Sequence, residues 1–576
     1  MTPKEVAEVL EEIAILLELK GENPFKYRAY LNAARTIGLL GEDLNAMITR
    51  GEIQKVKGIG EALAKKITEL VQTGKLSYYD ELKNSIPHGL FDILKIPGLG
   101  PKKVKTFYEK LGIKNLGELE YACIENRLVG LEGFGKIMQE KIKDGIRFLQ
   151  KNLGQHLFAE AEADALAILD EMQKQKHVQE ISLAGSLRRR KEIVKDIDII
   201  IGTDHSSQVM EYFTHLPQVE KITAHGETKS VVQLKSGISV DCRTVSLSEF
   251  PFALHHSTGS KEHNTALRGR AKSMGILMNE YGLFRNETKI ECKDEPSIFS
   301  ALGLPFIPPE LREGMGEIEA AASGTLPKLV QVRDIRGIFH NHTRESDGSG
   351  SLREMVEGAQ ALGYEYIGIS DHSRTAFYAH GLEIERIKRQ HQEIEALQQK
   401  VRGIRIFKGI ESDILPDGSL DYPDEVLETF DFVIGSVHSR FNMNESEMTA
   451  RVLRGMQNPY ITILGHPTGR LLLSRNPFPL NMNKILDAAN EYGVAIEMNA
   501  NPHRLDLDWR FGRQVKQKGV QICINPDAHS LEGLKVIPIG VGIARKGWLS
   551  KENVLNTRSK TQMERYLNER KKRERV

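Results

Sequence analysis

Residues 185–200 read Gly-Ser-Leu-Arg-Arg-Arg-Lys-Glu-Ile-Val-Lys-Asp-Ile-Asp-Ile-Ile, and this stretch decides how the chain around it is read. Ile181 to Ala184 form a short apolar strand that ends in Gly185-Ser186. Ten residues past Ser186, Asp196 to Ile201 alternate as a second strand, so Asp196 and Asp198 point to one face. Two anions side by side repel, and a divalent cation is the usual reason to tolerate them. A further strand, Gly237 to Arg243, can bring Asp241 beside them. Three carboxylates can hold two Mg²⁺ that stabilise the attacking oxygen and leaving pyrophosphate of an in-line displacement. Gly185, Ser186 and Arg189 then sit where a triphosphate would lie. A DxD pair alone reads more simply as a solvated strand edge. The Gly-Ser-x-Arg-Arg turn at this distance favours the metal site.

Toward the N-terminus the pattern is helical. Residues 2–20 predict a helix with Thr2 as N-cap, Pro3 in its first turn and Glu5 completing a capping box. Three breaks then resemble one another: Val56-Lys57-Gly58-Ile59-Gly60, Ile96-Pro97-Gly98-Leu99-Gly100 and Leu131-Glu132-Gly133-Phe134-Gly135. Each is followed by a Lys-rich helical pattern, Lys102 and Lys103 among it. A Gly-x-Gly turn opening a helix lets backbone N–H groups approach a phosphate at the positive end of the helix dipole. One copy would be only a tight interhelical turn. Three copies, with 11 Lys/Arg against 7 Asp/Glu over residues 51–110, predict binding to the DNA backbone.

Toward the C-terminus, residues 316–333 read as a linker, and seven short apolar runs follow: 337–339, 366–370, 404–410, 432–435, 461–464, 494–498 and 520–524. Helical stretches separate most of them, which predicts a parallel α/β barrel of about seven strands. Six runs end in candidate ligands: His340 and His342, His372, Glu411, His438, His466, and Asp527 with His529. Asp347 follows in the first loop. Barrel enzymes gather their sites at the C-terminal strand ends, so these residues should converge. One histidine is usually structural, but six at strand ends with three carboxylates read as a metal centre. Imidazole and carboxylate without thiolate suit Mn²⁺, Zn²⁺ or Fe²⁺. Residues 558–576 read as a solvated helical tail.

Composition bounds these readings without choosing among them. At about 150 residues per domain, 576 residues suggest roughly four domains or subdomains. With 40% hydrophobic and 27% charged residues the chain is of ordinary globular type, which excludes a wholly disordered or collagen-like one. Lys plus Arg is 79 against 78 Asp plus Glu, so any basic surface is local. Cys123, Cys242, Cys292 and Cys523 lie far apart, which excludes a thiolate zinc cluster and fits a reducing cytosol. The N-terminal segment lacks a signal-peptide pattern, and a cytoplasmic location without membrane contact is expected.

GSLRRRKEIVKDIDII followed by VDCR resembles the palm of family X DNA polymerases. Ser257-Thr258-Gly259-Ser260, then Asn264, Arg268 and Asn279-Glu280-Tyr281, resemble the nucleotide-binding and thumb region of polymerase beta. The resemblance implies a nucleotidyltransferase fold with a thumb, with Asp196, Asp198 and Asp241 as metal ligands. It places Gly185, Ser186 and Arg189 on the triphosphate, Gly259 in the sugar-contacting turn, and Asn264 and Arg268 at the minor groove of the nascent pair. Lys261 replaces an acid beside the incoming base, His256-Ser257 replaces the aromatic pair of the sugar pocket, and Ser239 replaces an arginine. Residues 23–30, with Lys26 and Tyr30, resemble the start of the 8-kDa domain that binds a 5′-phosphate, and the first two hairpins resemble helix-hairpin-helix motifs. Lys66 falls at the Schiff-base lysine of the lyase activity, with phosphate binding alone as the equal alternative. HNHTRESDGSG, ISDHS, KGIESDI, SVHS, GHPTG and PDAHS resemble the PHP (polymerase and histidinol phosphatase) domain, whose nine metal positions are all filled.

The motif order resembles bacterial and archaeal PolX. That implies multidomain α+β and α/β architecture: an 8-kDa-like domain at 1–84, a second hairpin domain at 85–152, the palm at 153–245, the thumb subdomain at 246–315, the linker, and the PHP domain at 334–576. The implied function is short-gap filling in base excision repair by a monomer acting on gapped or primer-template DNA and deoxynucleoside triphosphates. Two Mg²⁺ are expected in the palm and up to three Mn²⁺ or Zn²⁺ in the PHP domain, which would act as a 3′→5′ exonuclease and leaves abasic-site endonuclease activity open. The alternatives are a DNA-end-binding scaffold with relic sites, and a PHP domain that hydrolyses small phosphate esters.

Overall fold

The computed structural model describes residues 1–573 apart from 39, 41–43, 57, 125, 126, 132 and 153. The chain forms two compact units, Met1–Leu153 and Gly154–Val576.

The first unit is helical. Its opening helix, Pro3–Leu19, has the expected capping box: Glu5 N donates to Thr2 Oγ1 at 3.2 Å and Thr2 N to Glu5 Oε2 at 2.7 Å. Its apolar face buries Leu10, Ile13 and Leu17 against Ala33, Ile37 and Ile67 of later helices. Lys57 and Glu132, quoted in the hairpin motifs, lie outside the described residues.

The second unit begins with a five-stranded mixed sheet built from β1 (Glu180–Leu183), β2 (Asp196–Gly202), β3 (Val219–His225), β4 (Lys229–Leu234) and β5 (Ser239–Val245) in the order β1-β2-β5-β4-β3. β2 and β5 pair in parallel, and the other neighbours are antiparallel. The inward side chains Ile197, Ile199 and Ile201 alternate with the carboxylates and bury under helices Phe158–Gln173 and Ser206–Thr214. Alternation of this kind fixes the register, because a slip by one residue would turn these three isoleucines away from the helices.

Seven parallel strands then follow in sequence order: β6 (Gly337–Ile338), β7 (Tyr366–Ile369), β8 (Arg405–Asp413), β9 (Phe432–Ser436), β10 (Ile461–Leu464), β11 (Ala495–Asn499) and β12 (Ile522–Asn525). They are buried on both faces, as strands of a parallel sheet under helices must be. The barrel is nearly closed. Across the seam between β12 and β6, Asn556 Nδ2 donates to Gly337 O at 2.9 Å and Ile524 O at 2.7 Å. Beyond it His342 N donates to Ala528 O at 2.8 Å.

Two segments differ from expectation. Residues 316–333 are not an open linker: helix Glu317–Ala322 packs there, Glu317 is buried, and Leu329 and Val330 join the cores on either side. Its Ala-Ala-Ala run is small enough to pack closely rather than merely unstructured. The C-terminal tail is a helix, Lys560–Arg573, but it is not wholly solvated. Met563 and Leu567, one turn apart among charges, bury against Tyr366, Phe407 and Phe432 and close one end of the barrel.

Candidate active sites

On the palm sheet, register brings the carboxylates together. Asp198 pairs directly with Asp241 across β2 and β5, and Asp196 stands two residues away on the same face. Gly185, at φ +60°, lies so close to this centre that a Cβ there would meet Asp198 Oδ2 at 1.8 Å. Burial, reinforced by Asp196 and Asp241, pushes the Asp198 carboxyl up to about 7. Lys229 on β4 balances the charge, with Nζ 2.7 Å from Asp241 Oδ2. A group of anions that raises its own member toward neutrality fits divalent cations, which would replace the missing positive charge.

The arginines of the turn are already committed. Arg189, expected on a triphosphate, is nearly buried, donating from Nε to Glu313 Oε1 at 3.0 Å and from Nη1 to Thr258 O at 2.8 Å. Arg188 bonds Thr258 Oγ1 and Glu295, and Arg190 bonds Glu162. Asn264, expected at a base pair, is buried and donates to His256 O at 2.7 Å, which holds the turn around Gly259. A Cβ on Gly259 would stand 2.5 Å from Asn264 Oδ1. Lys261 and Arg268 do project from the exposed face of helix Lys261–Ser273, two turns apart. Ser186 is the second residue of the single helical turn Gly185–Arg188.

At the C-terminal strand ends of the barrel, the nine expected ligands converge. Glu411, from β8, is the hub. His466 Nε2 lies 3.0 Å from its Oε1, His438 Nε2 3.2 Å and His340 Nε2 3.3 Å, while His372 Nδ1 lies 2.9 Å from Oε2. Asp527 Oδ1 is 3.4 Å from His342 Nε2, and Asp347 Oδ2 is 3.3 Å from His529 Nε2. Four overlapping groups have ligand atoms within 4.8 Å of one another: His342, Asp347, His372 and His529; His340, His466 and Asp527; His340, His342 and Glu411; His372, Glu411 and His438. His340 Nε2 and both ring nitrogens of His342 are buried with no hydrogen-bond partner among the described residues. A buried ring nitrogen whose lone pair meets no donor is costly, and coordination to a cation satisfies it. His466 and Asp527 hold left-handed backbone, at φ +20° and +51°, strain of the kind stored at functional sites.

In the first unit the three hairpins share one geometry. Gly58, Gly98 and Gly133 lie at φ +90°, +83° and +83° with open space around them, while Ile59, Leu99 and Phe134 plug into the core. Gly60 and Gly100 cap the helices Glu61–Thr73 and Pro101–Leu111, and Gly135 precedes Lys136–Asn152. Lys102 and Lys103 stand in the first turn after Gly100. Lys103 Nζ donates to Gly98 O at 2.9 Å. Lys66 is half-buried, its Nζ 2.5 Å from Tyr30 Oη and 3.3 Å from the centre of the Tyr78 ring. Burial, then Lys26, lowers its pKa. Lys26 is exposed. Tyr30 is buried and held by Lys66, so it supports the lysine instead of offering a surface contact.

Comparison with known proteins agrees with this layout. The DNA polymerase/3′-5′ exonuclease PolX of Bacillus subtilis (strain 168) is 40% identical over 572 residues, covering 98% of this chain and 99% of the relative. The chain belongs to the PolX family. Family models match at residues 1–76 (helix-hairpin-helix domain), 91–147 (SAM-like helix-hairpin-helix tandem), 253–313 (DNA polymerase beta thumb) and 339–501 (PHP domain). The tandem model covers both the second and third hairpins of this PolX-family chain. A probable phosphatase of Caldanaerobacter subterraneus is 27% identical over 42% of the chain and 94% of its own length, and one of Acetivibrio thermocellus 32% identical over 33% and 78%. Among the described residues, no helix is long and apolar enough to cross a membrane.

The barrel of this PolX-family member holds residues that the sequence reading passed over. Glu497, inside the apolar run 494–498, is fully buried and accepts from His340 Nδ1 at 2.7 Å and from His466 N at 2.7 Å. Asp413 holds His438 Nδ1 at 2.5 Å, and Arg504 Nε lies 3.2 Å from Asp527 Oδ2. The available signal was a lone glutamate in an otherwise apolar buried strand, a place where an unpaired charge is not tolerated.

Proposed function

We infer that the chain is a DNA-directed DNA polymerase of the PolX family that also carries a 3′→5′ exonuclease in its PHP domain. The observation that carries this reading is the presence, in one PolX-family chain, of two separate ligand clusters: the palm triad around Asp198 and the barrel cluster around Glu411. The helical hairpins support DNA as the partner, through backbone N–H groups at the turns and the lysines that follow. Deoxynucleoside triphosphates as substrate, short repair gaps as the preferred site, a monomer as the working form and a cytoplasmic location belong to the same proposal.

Asp196, Asp198 and Asp241 would hold two Mg²⁺, which when bound supply the charge that stabilises the attacking 3′-oxygen and the leaving pyrophosphate. Lys229 steadies Asp241 from the neighbouring strand. The Gly185–Ser186 turn lets backbone reach the phosphates, and Lys261 and Arg268 offer exposed charge on one helix face. Arg189, the further residue expected on the triphosphate, is held by Glu313 and Thr258 O. In the barrel, the nine ligands would hold up to three Mn²⁺ or Zn²⁺, which activate water and neutralise a phosphodiester. Glu497 and Asp413 fix the rings of His340 and His438 so that the opposite nitrogens face the cluster.

Separate variants test the reading. Asp241→Ala is expected to abolish primer extension on gapped DNA and to leave degradation of a 3′-labelled primer intact. His342→Ala is expected to do the reverse, assayed with and without nucleotides in Mg²⁺ and then Mn²⁺. Equal loss of both activities in either folded variant would overturn the two-centre model. The barrel-only resemblance to probable phosphatases favours a second reading, hydrolysis of small phosphate esters. Comparing a phosphate monoester with a DNA 3′ end decides between them.

A further inference from the structure

The loop that follows His372 ends in an exposed aromatic side chain. Phe377 is 81% exposed, yet the turn that presents it, Phe377–Ala379, stands on two fully buried alanines, Ala376 and Ala379. A single exposed apolar residue needs no explanation on an ordinary surface. Here, however, the surrounding loop is anchored to the barrel cluster at several points. Leu382 N donates to the carbonyl of the ligand His372 at 2.8 Å, and Ser373 N to the carbonyl of Glu411 at 3.0 Å. Thr375 Oγ1 donates to Asp413 Oδ2 at 3.0 Å, and Asp413 in turn holds the ring of His438. Thr375 N and Arg374 N are tied down by Asp421 and Tyr422. Arg386 bonds His380 O and Glu345, which joins this loop to the loop of His342 and Asp347. Gly381 closes it so tightly that a Cβ would meet Ser373 O at 1.9 Å. The frame that orients three ligands therefore also fixes the backbone turn on which Phe377 stands, and the turn presents the phenyl ring 81% exposed.

We propose that Phe377 is a positioning residue of the nuclease, whose ring stacks on the 3′-terminal nucleobase of the strand being degraded. This rests on the nuclease reading of the barrel. The chemistry is that of single-strand binding: every base has a π-face, and an aromatic ring on a fixed platform gains affinity without choosing a sequence. The ligands handle the phosphodiester, and a stacked terminal base would hold the ester bond over them.

The test uses the full-length protein. For a 3′-labelled oligonucleotide, Phe377→Ala is expected to raise KM on the order of 10-fold with little change in kcat. Phe377→Trp should restore it. Two substrates isolate the base: an oligonucleotide ending in an abasic 3′ residue, and bis(p-nitrophenyl) phosphate, which has no base. On both, Phe377→Ala should match wild type. An unchanged KM on the ordinary oligonucleotide, or an equal rise on the abasic end, would overturn the proposal. Should wild type cleave none of the three, the nuclease reading itself fails. Stacking is then decided by the fluorescence of a 3′-terminal 2-aminopurine: quenching lost in Phe377→Ala upholds the contact, and equal quenching in both proteins removes it.

Discussion

Glu497 has no exposed surface, and both of its oxygens serve the frame of the barrel cluster: one accepts from His340 Nδ1 and Asn525, the other from His466 N and Asn499. Burial opposes its charge, but the charge and hydrogen bond of His340 together with His466 keep the carboxylate below its ordinary range. A carboxylate that fixes a ligand ring in this way typically accounts for a 10–100-fold difference in metal affinity. Glu497→Gln is therefore expected to weaken metal binding and nuclease activity by about that factor, read by elemental analysis, while primer extension stays at wild-type level. Full occupancy in the variant would remove Glu497 from the site. Asp198 makes a pH-dependent counterpart in the palm. Its value of about 7 lies above the ordinary 3.8, so the metal-free fold binds a proton there that the unfolded chain has released. Its contribution to stability is complete below pH ~4 and is lost as pH rises through about 7. A divalent cation competes with that proton. The apparent Mg²⁺ affinity is expected to fall roughly tenfold per pH unit below 7 and to level off above it, measured by calorimetric titration between pH 6 and 8.5. A flat profile would show that Asp198 is ionised throughout.

Three helices build the Lys66 site. Pro24–Gly38 supplies Tyr30, Glu61–Thr73 supplies Lys66 and Ser77–Asn84 supplies Tyr78, whose ring stacks with that of Tyr30 at 6.4 Å and 11°. An amine between two rings, with its pKa lowered, holds a larger neutral fraction for attack on an aldehyde. Borohydride trapping to a 5′-deoxyribose-phosphate end is expected for wild type and not for Lys66→Ala. Trapping by neither protein would leave Lys66 a phosphate contact. None of this cage could be read from the sequence, because its two tyrosines lie 36 and 12 positions from the lysine. Elements set by local pattern could be read: the capping box at Thr2, the Gly-x-Gly turns, and barrel runs that lie within a few residues of β6–β12. The convergence of ligands at strand ends was also legible, since one fold rule places them there. What escaped depends on contacts distant in sequence. Arg189 lies 124 residues from Glu313, and nothing near it signals the pairing. The C-terminal helix packs Met563, Leu567 and the partly buried Tyr566 against the barrel, too few apolar residues to stand out among its charges.

The palm and the barrel of the second unit are joined by buried charge. Glu313, little exposed, accepts from Arg189 Nε at 3.0 Å and Lys546 Nζ at 2.5 Å, with Lys191 3.7 Å away. Lys546 is fully buried on the helix Ile537–Lys546 that flanks the barrel, and it also donates to Arg189 O at 2.9 Å. Burial pulls its pKa down to about 8 even beside Glu313. Glu192, at the end of the palm turn, accepts from Trp509 Nε1 at 3.0 Å and Arg510 Nη1 at 2.9 Å. The turn from Gly185 to Glu192 is thus held from the barrel side by residues more than 300 positions away. Removing one member of such a network leaves its partners buried without a counter-charge, which typically costs 3–5 kcal/mol. Replacing both members with apolar groups costs much less, because the desolvation penalty goes with them. Glu313→Ala is therefore expected to destabilise the second unit by about 3–5 kcal/mol in denaturant unfolding. Glu313→Leu combined with Lys546→Met should recover a large part of that loss, because the two sites are coupled and not additive. Arg189 would lack its counter-charge in both, so recovery should be incomplete, and loosening it should also change the KM for nucleotide. A single variant as stable as wild type, with a double variant no different, would mean that water enters and solvates these charges. On the barrel side the palm turn would then be held chiefly by the Glu192 contacts.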